Sequence, residues 1–282
     1  MVQVSERLTL QGSAPLLRRE VMPTSWEPGT IDLSGLTWAT PFDVAAIAAT
    51  WTRMADAGRP PQVAVPTDPT VRAYLVDMGL PEVLPGEWGS GGGSAVDPPW
   101  LPLTHVPSSD AWDDLQGELW PAASAVLGDV TLTRRTLEIL GELVDNAATH
   151  GASPAGTFVC AQRYTGSTSG LAPGVWLGVA DAGVGVPDHL RHNPRFEAVV
   201  RDADLIVLAR RQWVTGTAER RGWGLVEVFE AATASGPSQI VIRSRGGEGD
   251  FRLRPDRRAY VRKTDVAPVV PGTWIHVRVE GA

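Results

Sequence analysis

The sequence predicts an α/β fold in two parts. Short apolar runs that suit buried strands alternate with longer segments whose apolar residues recur at helical spacing, and Gly or Pro residues separate them. In the second part the order of helices and strands favours helices packed on one face of a mixed sheet. We expect a poorly structured leader in residues 1–28, a first α/β domain in residues 29–109 and a second in residues 110–282.

The overall composition favours a globular protein without a nucleic-acid or membrane partner. The chain has 282 residues, of which 43% are hydrophobic, so it can bury a substantial core. Its formal net charge of −7 argues against a surface that follows nucleic-acid phosphates, which requires clustered cations. No apolar run approaches the roughly 18 residues of a membrane helix, and the first residues lack the apolar segment of a signal peptide. We expect a cytoplasmic protein.

Two rare residue types narrow the possible chemistry. Lys263 is the only lysine and follows Arg262, so the Gly-Lys pair of a P-loop phosphate site is absent. Cys160 is the only cysteine, which excludes an intrachain disulfide and is compatible with a reducing compartment. Any nucleotide site in this chain must therefore be of another class.

The first domain is predicted to alternate strands and helices. The elements expected there are a strand at 31–38, either continuous or interrupted near Gly35, a helix at 42–57, a short buried strand at 62–65, a helix from Thr67 or Asp68 to Met78, and a last strand at 101–106.

The second domain is predicted to begin with two helices. The elements expected there are a helix from Ser109 or Asp110 that Pro121 kinks or ends, a helix at 132–150, strands at 156–164 and 175–180, a polar irregular segment at 186–221, a helix at 224–234, and strands at 239–243, 259–262 and 273–279.

Three polar residues recur every four positions in the second of these helices. Because a helix turns about 100° per residue, Glu142, Asn146 and His150 share one face, opposite to Val144. A carboxamide oxygen on such a face can bind a hard cation, and a nearby carboxylate can accept a proton from an attacking oxygen. A solvated polar face has the same spacing, so this segment alone does not decide between the two.

Two glycine-containing segments are candidates for close ligand contact. Asp181 ends an apolar strand and is followed by Gly183 and Gly185, which allow the backbone to approach a ligand and place a buried carboxylate beside it. Gly222 and Gly224 open a helix, whose N-terminus offers N–H donors to phosphate. An ordinary glycine turn or helix start explains either segment when it is taken alone.

Taken together, the three segments resemble the GHKL ATPases, the family of gyrase, heat-shock chaperones, histidine kinases and mismatch-repair ATPases. The resemblance covers about residues 115–282. It depends on the N box (Glu142, Asn146, His150), the G1 box (Asp181, Gly183, Gly185), the G2 box (Arg221, Gly222, Gly224, Leu225) and the late pair Gly272-Thr273.

The resemblance implies an ATP site that uses Mg²⁺. Asn146 would bind the metal, Glu142 would be the general base and Asp181 would bind adenine. His150, the glycines of the G1 and G2 boxes, Leu225 and Thr273 would contact the nucleotide. A lid would run from about Asp188 to Arg221, and its arginines (Arg210, Arg211, Arg220, Arg221) are candidates for holding the triphosphate.

Within this family the sequence is most similar to bacterial anti-sigma-factor serine kinases. Histidine kinases usually carry Asn where Glu142 stands, and they need a phosphoacceptor histidine on a dimerising helix. The string from Asn146 to Gly151 instead looks like that of the serine kinases. None of the five histidines (His105, His150, His189, His192, His276) lies on a predicted helix of the phosphoacceptor type.

The first domain resembles STAS domains, the fold of anti-sigma-factor antagonists. Those proteins present a phosphorylatable serine just before their first long helix. Here Thr40, Pro41, Phe42 and Asp43 occupy that stretch, so the usual phosphoswitch is lost. Thr40 is better explained as a structural helix cap, and the domain as a docking or pseudo-substrate module.

The resemblance implies a regulatory protein that acts on another protein. The expected activity is Mg-ATP-dependent phosphoryl transfer to a Ser or Thr of a partner protein, or slow ATP hydrolysis. A sigma-regulator-like or a STAS-like protein is a candidate partner. A non-catalytic switch, in which ATP changes which partner is bound, stays open as the alternative. A homodimer is also possible.

Overall fold

The computed structural model describes residues 7–18, 29–89, 99–151, 153–166, 173–212, 214, 216, 224–234 and 236–280. It confirms the α/β class. The described elements are β1 (Arg7–Ser13), α1 (Pro15–Arg18), β2 (Thr30–Trp38), α2 (Pro41–Asp56), β3 (Gln62–Ala64), α3 (Pro69–Asp77), β4 (Leu101–Val106), α4 (Ser109–Leu127), α5 (Val130–Asn146), β5 (Thr157–Tyr164), β6 (Gly174–Asp181), α6 (Val186–Arg191), α7 (Asp202–Ala209), α8 (Gly224–Ala234), β7 (Ser238–Leu253) and β8 (Ala259–Val279).

The first sheet is parallel and includes part of the predicted leader. Its strand order is β1-β2-β3. Leu8 and Leu10 of β1 are almost fully buried, as is Leu16 of α1. The expectation that residues 1–28 are poorly structured is therefore wrong for residues 7–18. Leucines at alternate positions give β1 a buried face, and so short a period-two pattern is easily missed in the sequence.

Two finer details of this sheet differ from the prediction. Strand β2 continues through Gly35, and the irregularity is a register shift against β1, because Thr9 pairs with Asp32 while Gln11 pairs with Gly35. Strand β3 is predicted to be buried, but it lies at the edge of the sheet, and Gln62 is exposed.

Helix α2 lies between the two sheets. Its residues 41–50 are all buried. One hydrophobic cluster joins it to the first sheet and also to Phe158, Ala180 and Trp274 of the second sheet. A helix that is covered on all sides is apolar all round, and small side chains let both sheets approach it. This explains the alanines on its buried turns (Ala45, Ala46, Ala48, Ala49).

The second sheet has the strand order β4-β5-β6-β8-β7, and each of these pairings is antiparallel. The expected mixed sheet is therefore wrong for the described strands. The prediction that residues 101–106 form the last strand of the first domain is also wrong, because β4 pairs with β5 and places Val106 opposite Thr157. An alternating apolar pattern predicts a strand but does not identify its partner.

Strand β7 is longer than predicted and turns back on itself. Gln239 Nε2 donates to Asp250 Oδ1 at 3.0 Å, although the two residues are 11 positions apart. In an extended strand that separation would span roughly 35 Å, so β7 must fold back. The turn lies near Arg245, which has a φ of 53°, at a shift in register with β8.

The return half of β7 pairs with the first part of β8. Phe251 lies opposite Val261, whereas the earlier part of β7 pairs with residues 273–279. The structure thus has two long strands where the sequence predicts three short ones. Residues 247–253 were not predicted as a strand, because their glycines and charges hide the alternation.

Helices α4, α5 and α8 cover the face of the second sheet opposite to α2. Trp112, Leu140 and Val228 join a cluster with Leu177 and Ile240 of the strands. Helix α4 continues through Pro121 to Leu127. The alternative that Pro121 ends the helix is therefore wrong. None of the helices in the described part of the chain has the length and hydropathy that a membrane crossing requires.

The segment 186–221, predicted to be irregular, contains two helices in its described part. Leu190 of α6 and Leu205 of α7 are buried in a small cluster of their own. Arg191 ties the segment together, since it donates to Asp202 at 2.6 Å and to the carbonyl of Val200 at 2.9 Å. The polar composition of the segment hid these helices, although Arg191 of α6 bonds to other residues of the same segment.

The start of α2 docks on strand β6. Thr40 is fully buried and caps α2, and its hydroxyl donates to Asp43 at 2.6 Å, which confirms its structural role. Cys160 donates from Sγ to the carbonyl of Pro41 at 3.1 Å. A Cβ at Gly178 would lie 2.2 Å from that same carbonyl oxygen, so only glycine leaves room for α2 here.

We expect Gly178→Ala to destabilise the protein by about 1–3 kcal/mol, because the added methyl group forces α2 away from β6. Urea unfolding measures the free energy. The matched control is Gly117→Ala, in the interior of α4, where a Cβ meets nothing within 4 Å and alanine should be neutral or stabilising. Equal unfolding free energies for the two variants would show that α2 tolerates displacement from β6.

Candidate functional site

One cavity collects residues from segments that are far apart in the sequence. It encloses about 730 Å³, including the part that is open to solvent. Strands β6 and β8 form its floor, and the end of α5, helix α6 and the start of α8 form its walls. Its lining residues are Leu143, Asn146, Ala147, His150, Gly151, Val179, Asp181, Gly185, Val186, His189, Leu190, Ala209, Val214, Leu225, Thr273 and Ile275.

Six of the residues predicted from the sequence therefore line a single cavity. They come from the N box, the G1 box, the start of α8 and the opening of the last strand segment. They are Asn146, His150, Asp181, Gly185, Leu225 and Thr273.

Asp181 is the buried carboxylate of the cavity, with 3% of its surface exposed. The backbone N–H of Gly183 donates to its Oδ1 at 2.8 Å. Burial raises the pKa of Asp181 to about 7, and hydrogen bonds from the backbone of Gly183 and Thr273 act in the opposite direction. These bonds fix the orientation of the carboxyl group, so that it can accept a hydrogen bond from a donor on a ligand.

The glycines of the site are required by close backbone packing. A Cβ at Gly183 would lie 1.8 Å from the carbonyl oxygen of Gly151. Gly272 has a φ of 65°, and a Cβ there would lie 2.2 Å from the carbonyl oxygen of Asp181. Gly183 is not among the lining residues, so it shapes the loop without facing the cavity.

Ser244 holds three parts of the site together and was not predicted from the sequence. Its hydroxyl donates to the carbonyl of Gly272 at 2.7 Å and accepts from the N–H of Val186 at 3.0 Å. It also lies 3.1 Å from the hydroxyl of Thr273. The glycine pair that follows Arg245 in the sequence predicts a turn nearby but does not identify Ser244 as a site residue.

Asn146 ends α5, and the chain continues as a single π-helical turn, Ala147–Gly151. The Asn146 amide nitrogen donates to the carbonyl of Glu142 at 2.6 Å. This bond uses the nitrogen, and the carboxamide oxygen is the atom that suits Mg²⁺.

Two histidine rings lie against each other in the cavity. The ring centroids of His150 and His189 are 4.4 Å apart. Burial and the neighbouring His150 and His192 lower the pKa of His189 to about 4, so this ring is neutral at neutral pH. The N–H of Gly216 donates to its Nε2 at 3.2 Å. Sequence reasoning missed His189 because α6 was predicted as irregular chain.

Glu142 is not among the residues that line the cavity. It lies one helical turn before Asn146 and meets Glu227 of α8. Burial, a hydrogen bond with Glu227, and the negative charges of Glu227 and Asp145 raise the pKa of Glu142 to about 7. A carboxyl group with a pKa near neutrality suits proton transfer.

The predicted phosphate-binding arginines are only partly described. The guanidinium of Arg210 lies over the rings of Phe229 and Phe251, at 5.6 and 5.5 Å, so it packs on aromatic rings of α8 and β7. Arg211 is exposed. Arg220, Arg221 and Gly222 lie outside the described residues, and Gly224 begins α8.

Neither a model of a known protein family nor a curated protein matches this sequence. The functional assignment therefore depends on the chemistry of the cavity. Its walls are largely apolar and carry a few polar groups, a composition that is typical of a site for a small organic ligand.

Proposed function

We propose that this protein binds ATP with Mg²⁺ in the cavity and is a cytoplasmic regulatory protein of the GHKL type. The observation that carries the proposal is the convergence on one cavity of Asn146, His150, Asp181, Leu225 and Thr273, each from a motif segment that resembles that family. These residues come from four segments that lie far apart in the sequence.

The apolar part of the cavity fits a purine ring. Val179, Ile275 and Ala147 line this part with aliphatic side chains. The buried carboxylate of Asp181 is a hydrogen-bond acceptor beside them, and the exocyclic amine of adenine is a donor. Guanine has a carbonyl oxygen at that position, which would face the carboxylate. We therefore infer a preference for ATP over GTP.

Asn146 is the protein ligand that would hold Mg²⁺, through its carboxamide oxygen. Its side chain lines the cavity, and Mg²⁺ commonly takes only one or two protein ligands when it is bound with phosphates. The metal would neutralise negative charge on the phosphate groups. His150 and His189 also line the cavity, with their rings in contact, and would bind the nucleotide there.

The chemistry that this site favours is phosphoryl transfer. The oxygen of a Ser or Thr hydroxyl of a partner protein, or of water, bonds to the γ-phosphorus. The bond from phosphorus to the β,γ-bridging oxygen breaks and ADP leaves. Glu142, with a pKa near 7, accepts the proton of the attacking oxygen.

A non-catalytic ATP switch is the second candidate function. It is favoured by one observation: Glu142 is not among the cavity-lining residues and instead shares a hydrogen bond with Glu227. In that case ATP would act by changing how helices α6 and α7 close on the cavity, and the partner protein would read the change.

We expect calorimetry to detect ATP binding that requires Mg²⁺ for full affinity, with GTP binding at least about tenfold more weakly because the Asp181 carboxylate meets no donor. ADP serves as the control for the γ-phosphate. Single-turnover assays with labelled ATP then distinguish transfer or hydrolysis from binding alone. Equal affinity for ATP and GTP, or no binding of either, contradicts the proposal.

A further inference from the structure

A side chain of the first layer, which consists of β1–β3 and helices α1–α3, reaches the candidate nucleotide site. Arg53 lies in the last turn of α2, and its Nη1 donates to the carbonyl oxygen of Ala182 at 2.8 Å. Ala182 follows Asp181 directly and is itself buried in the cluster that surrounds α2. Arg53 is an exposed residue, and this contact is made by Nη1 at the tip of its side chain.

The accepting carbonyl belongs to the peptide group that also bonds the Asp181 carboxylate. The C=O of Ala182 and the N–H of Gly183 are the two ends of one planar peptide unit. Arg53 donates to one end, and the other end donates to Asp181 Oδ1 at 2.8 Å. A cation on the carbonyl polarises the peptide and strengthens the bond that its N–H donates.

We propose that Arg53 is a positioning residue for adenine recognition, which it supports by orienting and polarising the Ala182–Gly183 peptide group that bonds Asp181. The inference rests on the proposed ATP site. It makes the first α/β layer part of that site, because Arg53 of α2 bonds directly to the loop that follows Asp181.

The packing of α2 on β6 places Arg53 within hydrogen-bond distance of Ala182. Its first turn is fixed on β6 by the close approach of Pro41 to Gly178, and its last turn carries Arg53 to the end of the same strand. Any displacement of α2 along β6 therefore moves the donor away from Ala182. Nucleotide affinity becomes sensitive to how the first layer sits on the second sheet.

Other charged and titratable groups surround the loop and enter the design of the test. His150 of the π-helical turn and His189 of α6 line the cavity. Asp188 of α6 pairs with Arg245 of β7 at 2.8 Å, next to Gly185. Arg53 approaches from the opposite side of the loop, so its removal leaves these groups in place.

The test is Arg53→Met in the full chain, with Mg-ATP titrations by calorimetry between pH 6 and pH 8.5. We expect ATP to bind about three- to tenfold more weakly. We also expect the pH at which affinity reaches half its maximum to move upward, because a weaker bond from Gly183 leaves the carboxyl group easier to protonate. Arg53→Lys, which keeps a cationic donor, should recover part of the affinity.

Arg258→Met is the matched control, since this arginine is 84% exposed on the β7–β8 hairpin and pairs only loosely with Asp256. It should leave both the affinity and the pH midpoint unchanged. If Arg53→Met binds ATP with wild-type affinity and midpoint, the positioning role is wrong while the ATP site stands. If the wild-type protein does not bind ATP at all, the proposed function fails and this inference fails with it.

Discussion

Asp181→Asn is expected to bind ATP about 100-fold more weakly than the wild-type protein, because an amide that keeps the backbone bonds turns its NH₂ group towards the amine of adenine. The carboxyl oxygen already accepts from Gly183, and the amide oxygen can take over that bond. Two donors would then face each other in a buried site. Calorimetry with Mg-ATP measures the loss directly.

The same substitution should stabilise the protein without nucleotide at alkaline pH. Burial raises the pKa of Asp181 to about 7, above its ordinary value of about 4. Between these values the folded state binds a proton that the unfolded state does not, so this group's contribution to stability falls as pH rises from about 4 to 7. The neutral amide does not titrate, so the free energy of unfolding of the variant should rise relative to that of the wild type between about pH 4 and 7, and the difference should persist at higher pH.

Lower ATP affinity together with higher stability of the nucleotide-free variant would show that the Asp181 carboxylate serves binding at a cost in stability. Asp256→Asn, at an exposed position of the β7–β8 hairpin, is the control for removing one negative charge. A folded Asp181→Asn protein with unchanged ATP affinity would rule out adenine recognition by this residue. ATP affinity in the wild type should also fall as pH drops below about 7, as the carboxyl group protonates.

The site residues that the sequence predicted belong to short, continuous segments of the chain. Asn146 and His150 follow from helical spacing, and Asp181 with Gly185 follows from a strand that ends in glycines. Helix α2 and its cap Thr40 were likewise readable from an alanine-rich run after a polar residue. In each case neighbouring residues determine the structure, and one short segment contains the whole signal.

The part that the sequence did not predict depends on which segments meet. Ser244, His189 and Glu227 join the site or its surroundings only because β7, α6 and α8 pack there. A serine within a strand or a glutamate on a helix has no local feature that separates it from surface residues. The pairing of β4 with the second sheet was missed for the same reason.

The Arg53 contact is a further example of such long-range information. It joins residues 129 positions apart, and no spacing rule relates a helix end in the first layer to a glycine loop in the second. What the sequence offered was a loose resemblance of the first part to a regulatory domain. The structure adds a physical reason for keeping that part on the same chain, because α2 covers the sheet that carries the candidate site.

Glu142→Gln is expected to keep ATP binding and to lower phosphoryl transfer or hydrolysis by at least about 100-fold, because the amide cannot accept the proton of the attacking oxygen. Glu142 is not a cavity-lining residue, so the ground-state affinity should change little. Single-turnover rates with labelled ATP, compared with calorimetric affinities, separate the two effects. The wild-type rate should rise with pH and level off above about 7, where the carboxyl group is ionised.

Glu227→Gln tests the role of Glu142 as a base by changing the hydrogen-bond partner of its carboxyl group. Removing the negative charge of Glu227 removes a repulsion that raises the pKa of Glu142, so the midpoint of the pH–rate profile should move to lower pH while the plateau rate is kept. Arg134→Met, at an exposed position of α5 that pairs with Glu138, is the control for altering that helix. If wild type, Glu142→Gln and Glu227→Gln share one low, pH-independent rate, Glu142 is not a base and the protein uses ATP as a switch.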